Sequence, residues 1–268
     1  MSDGARTVAI LADVHGNLPA LEAVLADVAA RGIREVVVAG DLVGFGASPN
    51  AVVDRLVDCG ATLIRGNHEA DYVGGYADPA TRAAWRADPG LAGMCWYLDR
   101  LGSRRAALLT ALPDRHWLDP ATLVTHGSPR HVRDAVLAET PAEDLAAMFG
   151  AEFPRLTFVG HTHLPVIRAV PWGRVVNVGS VGAPLGDPRA TYAVATRAAD
   201  ATDGDWAVAI AHIPYDAGMG AADPTFAALL PCHLRTGRPA FRNCGRARVA
   251  LPPADWPAAL ARILAGVS

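Results

Sequence analysis

The chain has 268 residues, a net charge of −3 and a 51% hydrophobic composition, which is long enough for a sizeable core. Its charge argues against a nucleic-acid coat held mainly by counterion release, and no run approaches the ~20 apolar residues of a membrane span. All 24 basic residues are arginine, which excludes a catalytic lysine, a Schiff base and the lysine of a phosphate-binding P-loop.

In chain order, "RTVAILAD" (6–13) reads as a short buried strand. "NLPALEAVLADVAARG" (17–32) follows with Leu18, Leu21, Val24, Leu25 and Val28 at helical spacing, Asn17 as cap, Pro19 in the first turn and Gly32 at the end. "REVVVAGD" (34–41) is a second strand, "NAVVDRLVDCG" (50–60) a second helix and "ATLIRGN" (61–67) a third strand. Such alternation predicts a parallel sheet. Residues 70–118, with Trp85, Met94, Trp96, Tyr97 and Leu101, predict helices inserted beside it.

Mainly strands come next: "ATLVTHG" (121–127), "RLTFVGH" (155–161), "RVVNVGS" (174–180), "ATYAVATR" (190–197) and "WAVAIAHI" (206–213). Residues 214–268 read as irregular, closed by an amphipathic helix near 253–266. There is no internal repeat and no low-complexity linker, so the expectation is one domain over 1–268 with a helical insertion. The opening "MSDGARTVAIL" lacks the pattern of a secretory signal. Cys59, Cys95, Cys232 and Cys244 form no CxxC pair and read as reduced thiols, which points to a cytoplasmic protein.

Residues with metal-ligand chemistry collect at the ends of these strands. Asp13 and His15 follow the first, Asp41 the second, Asn67 and His68 the third, then His126, then His161 and His163. In an open α/β sheet the carboxyl ends of the strands share one crevice. Most of these residues adjoin a glycine, which lets the backbone turn sharply and approach closely. Imidazole with carboxylate suits Zn, Fe, Mn or Ni rather than calcium, and the set is too large for one tetrahedral ion but fits two that share a carboxylate.

With "DVHGN" (13–17), "GDLVGFGASPN" (40–50), "GNHE" (66–69), "THGSP" (125–129) and "GHTH" (160–163) in that order, the chain resembles the calcineurin-like metallophosphoesterase superfamily. "NVGSVGAP" (177–184) is similar to that family's following segment, and the likeness runs from residue 6 to about 215. Phe45, Ala47 and Ser48 stand where compact bacterial and archaeal phosphodiesterases and phosphatases read GYGP, a departure that spares every ligand position.

The resemblance implies an α/β protein (α+β by some schemes), a four-layer αββα sandwich with a metal pair at one sheet edge. It implies that Asp13, His15 and His163 hold one ion, that Asn67, His126 and His161 hold the other, and that Asp41 bridges both. A strand-like HxH would point His161 and His163 to the same side. The implied activity is hydrolysis of small phosphodiesters or phosphomonoesters, nucleotides among them, by attack of a metal-bound hydroxide. The cofactors would be two divalent ions (Mn, Fe, Zn or Ni, with Mn favoured). His68 would be catalytic, protonating the leaving group or stabilising the transition state, with its side chain turned away from the ion on Asn67.

Arg65, Arg130 and His131 are weaker candidates for contact with a substrate phosphate, and His212 reads as structural. Two other readings compete: a nuclease of the same superfamily, and a metal-binding interaction module without catalysis. The partner expected is a small phosphorylated substrate rather than a membrane or nucleic acid, with oligomerisation left open.

Overall fold

The computed structural model describes residues 4–88, 91–150 and 153–216. The helix expected near 253–266, and all but the first residues of the segment from 214, lie outside the described residues. The first half follows the expected order: β1 (Arg6–Leu11), α1 (Leu18–Ala30), β2 (Glu35–Ala39), α2 (Pro49–Asp58) and β3 (Thr62–Ile64). Asn17 caps α1 as its residue type predicts, its side-chain oxygen accepting the Ala20 N–H at 3.2 Å.

The insertion begins with a wide π-type turn (His68–Val73) and continues through α3 (Gly74–Tyr76), α4 (Pro79–Ala87) and α5 (Ala92–Thr110). Then come β4 (Arg115–Asp119), β5 (Thr122–Thr125), α6 (Ala142–Phe149), β6 (Leu156–Val159), β7 (Val166–Val170), β8 (Gly173–Asn177), β9 (Ala190–Arg197) and β10 (Ala207–Ile213). Three of these were not expected: β4 within the presumed helical insertion, α6, and β7. Both strands lie at a sheet edge, and β7 leaves Ile167 46% exposed, so neither carries the apolar run of a buried strand.

Among the described residues, the strands form two five-stranded sheets, ordered β10-β9-β1-β2-β3 and β4-β5-β6-β8-β7. Alternating side chains fill separate layers. Ala9 and Leu11 of β1, with Val36 and Val38 of β2, face α1, α2 and α5 in one core. Val8, Ile10, Val37 and Ala39 point the other way and meet Val124, Leu156, Phe158 and Val176 of the second sheet. Beyond that sheet, Val159 and Val175 pack on Leu145 and Phe149 of α6. The result is helix, sheet, sheet, helix, the four-layer sandwich. Burying side chains such as Ile10 and Phe158 stabilises the fold by about 1.5–3 kcal/mol each.

The topology sets up the site. β1, β2 and β3 run parallel, as do β5, β6 and β8. Their carboxyl ends lead directly into the turns that carry Asp13, Asp41, Asn67, His126 and His161.

Candidate metal centre

Asp13, His15, Asp41, Asn67, His68, His126, His161 and His163 are all buried, and they meet at this edge. Among the described residues, the non-glycine positions with positive φ are Asp13 (54°), His15 (49°), Asp41 (54°), His161 (68°) and His163 (60°). L-residues avoid this region at about 1–2 kcal/mol each, and such strain persists only where the surroundings over-determine it. Here backbone bonds between the turns hold it: His15 N donates to Asp41 O (2.9 Å), Asp13 N to Gly40 O (3.0 Å) and Gly182 N to Asp13 O (2.9 Å). This corrects the expectation of a strand-like HxH. β6 ends at Val159, and both histidines lie in a left-handed turn beyond it.

Two glycines are required by proximity. A Cβ at Gly160 would come within 2.5 Å of Asp13 Oδ2, and one at Gly66 within 2.5 Å of the Asp41 amide nitrogen.

The polar atoms form two adjoining groups. In the first, His163 Nε2 is 3.3 Å and His15 Nε2 3.6 Å from Asp13 Oδ1, and the two imidazole nitrogens are 3.0 Å apart. In the second, Asn67 Oδ1 is 3.0 Å from His126 Nε2 and 2.9 Å from His161 Nδ1. Asp41 Oδ2 stands between them, 3.7 Å from His15 Nε2 and 3.4 Å from His126 Nε2. Asp13–His15–His163, His15–Asp41–His68 and Asp41–His126–His161 could each hold a metal ion.

The donor set fits such an ion. His126 Nδ1 donates to Ala39 O (2.7 Å), His163 Nδ1 to Ala183 O (2.6 Å) and His15 Nδ1 to Val43 O (3.4 Å). Those carbonyls fix each proton on Nδ1 and leave the Nε2 lone pairs facing one another and facing carboxylate or amide oxygens. Among the described residues, the buried Asp13 Oδ1 has no hydrogen-bond partner. Lone pairs converging out of water require a cation among them.

Without an ion, protons take that place. Burial lowers His126, but the Asp41 charge more than offsets it and pushes the imidazole up to about 10. His163 is likewise raised by Asp13 against burial. Burial opposes ionisation of Asp13 and Asp41, yet His163 and His126, respectively, hold them below the usual carboxylate range. Burial takes His68 and His161 down to about 3, helped in His161 by the His126 charge.

The His68 ring lies beside the first group, its centroid 4.7 Å from that of His15 and its Nε2 3.9 Å from Asp41 Oδ2. The other sequence candidates have contacts elsewhere. Arg65 forks onto Asp114, Arg130 forks onto Asp134, and His131 Nδ1 accepts the Arg133 N–H at 3.1 Å.

Several supporting residues escaped sequence reasoning. Glu69, fully buried, accepts backbone N–H groups from Asp41 (2.9 Å), Leu42 (2.9 Å), Val43 (3.3 Å) and Gly66 (2.8 Å), tying the Asp41 turn to the Asn67 turn. Burial and the Asp41 charge push its carboxyl up to about 7 while those amides pull it down. Asn177 Nδ2 donates to Gly160 O and Thr162 Oγ1, both at 2.8 Å, and Ser180 Oγ donates to Asp13 O at 2.8 Å. Their only sequence signal was membership of "GNHE" and "NVGSVGAP".

Comparison with known proteins identifies the family and the fold. A model of the calcineurin-like phosphoesterase superfamily domain matches residues 7–200. The crystal structure of a metallophosphoesterase from Sphaerobacter thermophilus is similar with a TM-score of 0.66 and 30% identity, covering 86% of this chain and 97% of that one. That of a hypothetical protein from Pyrococcus horikoshii OT3 has a TM-score of 0.69 at 22% identity, covering 85% and 95%, and shares the fold. An uncharacterized protein of Methanocaldococcus jannaschii is 26% identical over 228 residues, 78% of this chain and 88% of that one.

Proposed function

The chain belongs to the calcineurin-like phosphoesterase superfamily, and from that premise we propose that it is a dinuclear metal-dependent phosphoesterase. Its substrates in this reading are small phosphodiesters or phosphomonoesters, nucleotides among them. The observation that carries the reading is the place of Asp41 Oδ2, 3.7 Å from His15 Nε2 in one ligand group and 3.4 Å from His126 Nε2 in the other. Asp13, His15 and His163 would hold one ion, Asn67, His126 and His161 the second, and Asp41 both. Imidazole, carboxylate and amide donors suit manganese, iron, zinc or nickel, and manganese is the first choice. When bound, two such ions supply Lewis acidity at the phosphoryl oxygens and a nucleophile from water near neutral pH.

The remaining work falls to the chain itself. Asp41 is held from both ends: its backbone N–H is fixed by Glu69, and its Oδ1 accepts the His68 N–H at 2.8 Å. His161 N donates to Asp13 Oδ2 at 2.9 Å, so the turn that presents one histidine also orients the carboxylate of the other group. His68, with Nε2 3.9 Å from Asp41 Oδ2, would donate a hydrogen bond to the leaving oxygen.

The test is hydrolysis of p-nitrophenyl phosphate and bis(p-nitrophenyl) phosphate with Mn²⁺ and with EDTA. Turnover of at least one ester, dependent on Mn²⁺ and abolished by EDTA, is expected. Turnover of neither contradicts the reading.

A further inference from the structure

His68 has little room to move. Its ring is met edge-on by Tyr72 (4.9 Å between centroids), Phe45 (5.2 Å) and His15 (4.7 Å), and Tyr97 lies against it at 6.3 Å with planes 29° apart. One nitrogen, Nε2, faces Asp41 Oδ2 at 3.9 Å. The other, Nδ1, is 3.3 Å from the Tyr97 hydroxyl. Tyr97 is 1% exposed and comes from α5, inside the insertion.

The chemistry of that partner separates His68 from its neighbours. His15, His126 and His163 turn Nδ1 to backbone carbonyls, which only accept, so their Nε2 atoms are left to meet an ion. A phenol can donate. No other hydrogen-bond partner of the Tyr97 hydroxyl occurs among the described residues, and a buried O–H needs an acceptor. Nδ1 of His68 is the acceptor within reach. The phenol stays protonated, since burial and the nearby Glu69 and Asp41 charges raise its pKa well above the ordinary value.

We propose that Tyr97 is a positioning residue: its hydroxyl donates to His68 Nδ1 and so keeps the ring's proton on Nε2, aimed at the cluster. An Nε2 that carries a proton is a hydrogen-bond donor and not a metal ligand. The insertion thereby takes part in the chemistry, fixing through Tyr97 which face of His68 meets the leaving oxygen. The tautomer stands without the phosphoesterase reading, whereas the contact with a leaving oxygen rests on it.

The experiment is ¹⁵N NMR of the full-length protein labelled at histidine and loaded with Zn²⁺, with His68→Gln to identify the resonances of His68. An Nε2–H, Nδ1-unprotonated pattern is expected, giving way to mixed tautomers in Tyr97→Phe, which keeps the packed ring. Kinetics supply the second readout. Tyr97→Phe should lower kcat by about 10-fold or more on a phenyl or alkyl phosphate ester, and by less on the p-nitrophenyl ester, whose leaving group needs little help. KM and metal content should be unchanged, and adding Tyr97→Phe to His68→Ala should cost nothing further. An Nδ1–H or metal-bound His68 in the wild type would overturn the proposal. So would a His68 spectrum unaltered in Tyr97→Phe, or a kinetic loss that adds to that of His68→Ala. If no ester is hydrolysed, the phosphoesterase reading fails, and the NMR result still decides the role of Tyr97.

Discussion

His161 and His163 are separated by one threonine, yet they serve different halves of the cluster. His161 brings Nδ1 to 2.9 Å from Asn67 Oδ1, and His163 brings Nε2 to 3.3 Å from Asp13 Oδ1. The left-handed turn makes this division possible, because it rotates successive side chains apart instead of stacking them on one strand face. Each single alanine variant should therefore lose about one of two bound ions, and the double variant both. Elemental analysis of the purified variants checks this; loss of both ions from either single variant would show one interdependent site.

Asp41 and Asn67 should differ in the same assay. Asp41 Oδ2 adjoins both groups, whereas Asn67 Oδ1 meets His126 and His161 of the second. Asp41→Asn is expected to weaken both ions and Asn67→Ala mainly one. Equal single losses would remove Asp41 from the bridging position.

His68→Ala should lower kcat at least ~100-fold with both ions retained, since general acid or electrostatic help of this kind is typically worth 10²–10⁴-fold. Steady-state kinetics on metal-replete enzyme decide it. Full activity in the variant would mean that His68 only fills space in the aromatic box.

Glu69 offers a stability test independent of metal. Both of its oxygens accept backbone N–H groups, so Glu69→Gln turns an NH₂ towards a pair of donors and leaves them unpaired in the interior. A loss of about 1–3 kcal/mol is expected in urea unfolding of the metal-free protein. An unchanged midpoint would show that the turns hold together without it.

Asp119 predicts a pH dependence far from the cluster. Burial raises its carboxyl, but hydrogen bonds from Trp206 Nε1 (2.7 Å), Ala121 N (2.9 Å) and Thr122 Oγ1 (3.0 Å) more than offset this, and its pKa is lowered. A depressed folded-state pKa means that this stabilisation is complete above the unfolded value of about 3.9 and is lost as pH falls through the folded one. Asp119→Asn should thus melt lower than wild type at pH 7, with the gap narrowing as pH falls below about 4. A gap independent of pH would assign the loss to packing.

The identities of the ligand-type residues were legible because each follows a buried apolar strand and most sit beside glycine. The two-sheet sandwich was legible through the family likeness more than through periodicity. What stayed hidden depends on long-range contacts. The φ signs at Asp13, His15 and Asp41 follow from hydrogen bonds between turns about 26 or more residues apart, which no local pattern encodes. Glu69 looks like an ordinary acid until the amides of Asp41, Leu42 and Val43 close on it. Tyr97 looked like core of the insertion and is, but its hydroxyl ends at His68. β4 and β7 were missed because edge strands bury only part of their surface and lack the apolar run.

The most direct test of the two-ion site is a titration of the metal-stripped full-length protein with Mn²⁺, counting bound ions while following ester hydrolysis. Activity should rise to a plateau at two ions per chain, and Asp41→Asn should never reach it. A plateau at one ion, or full hydrolysis by the stripped protein, would contradict the two-ion site.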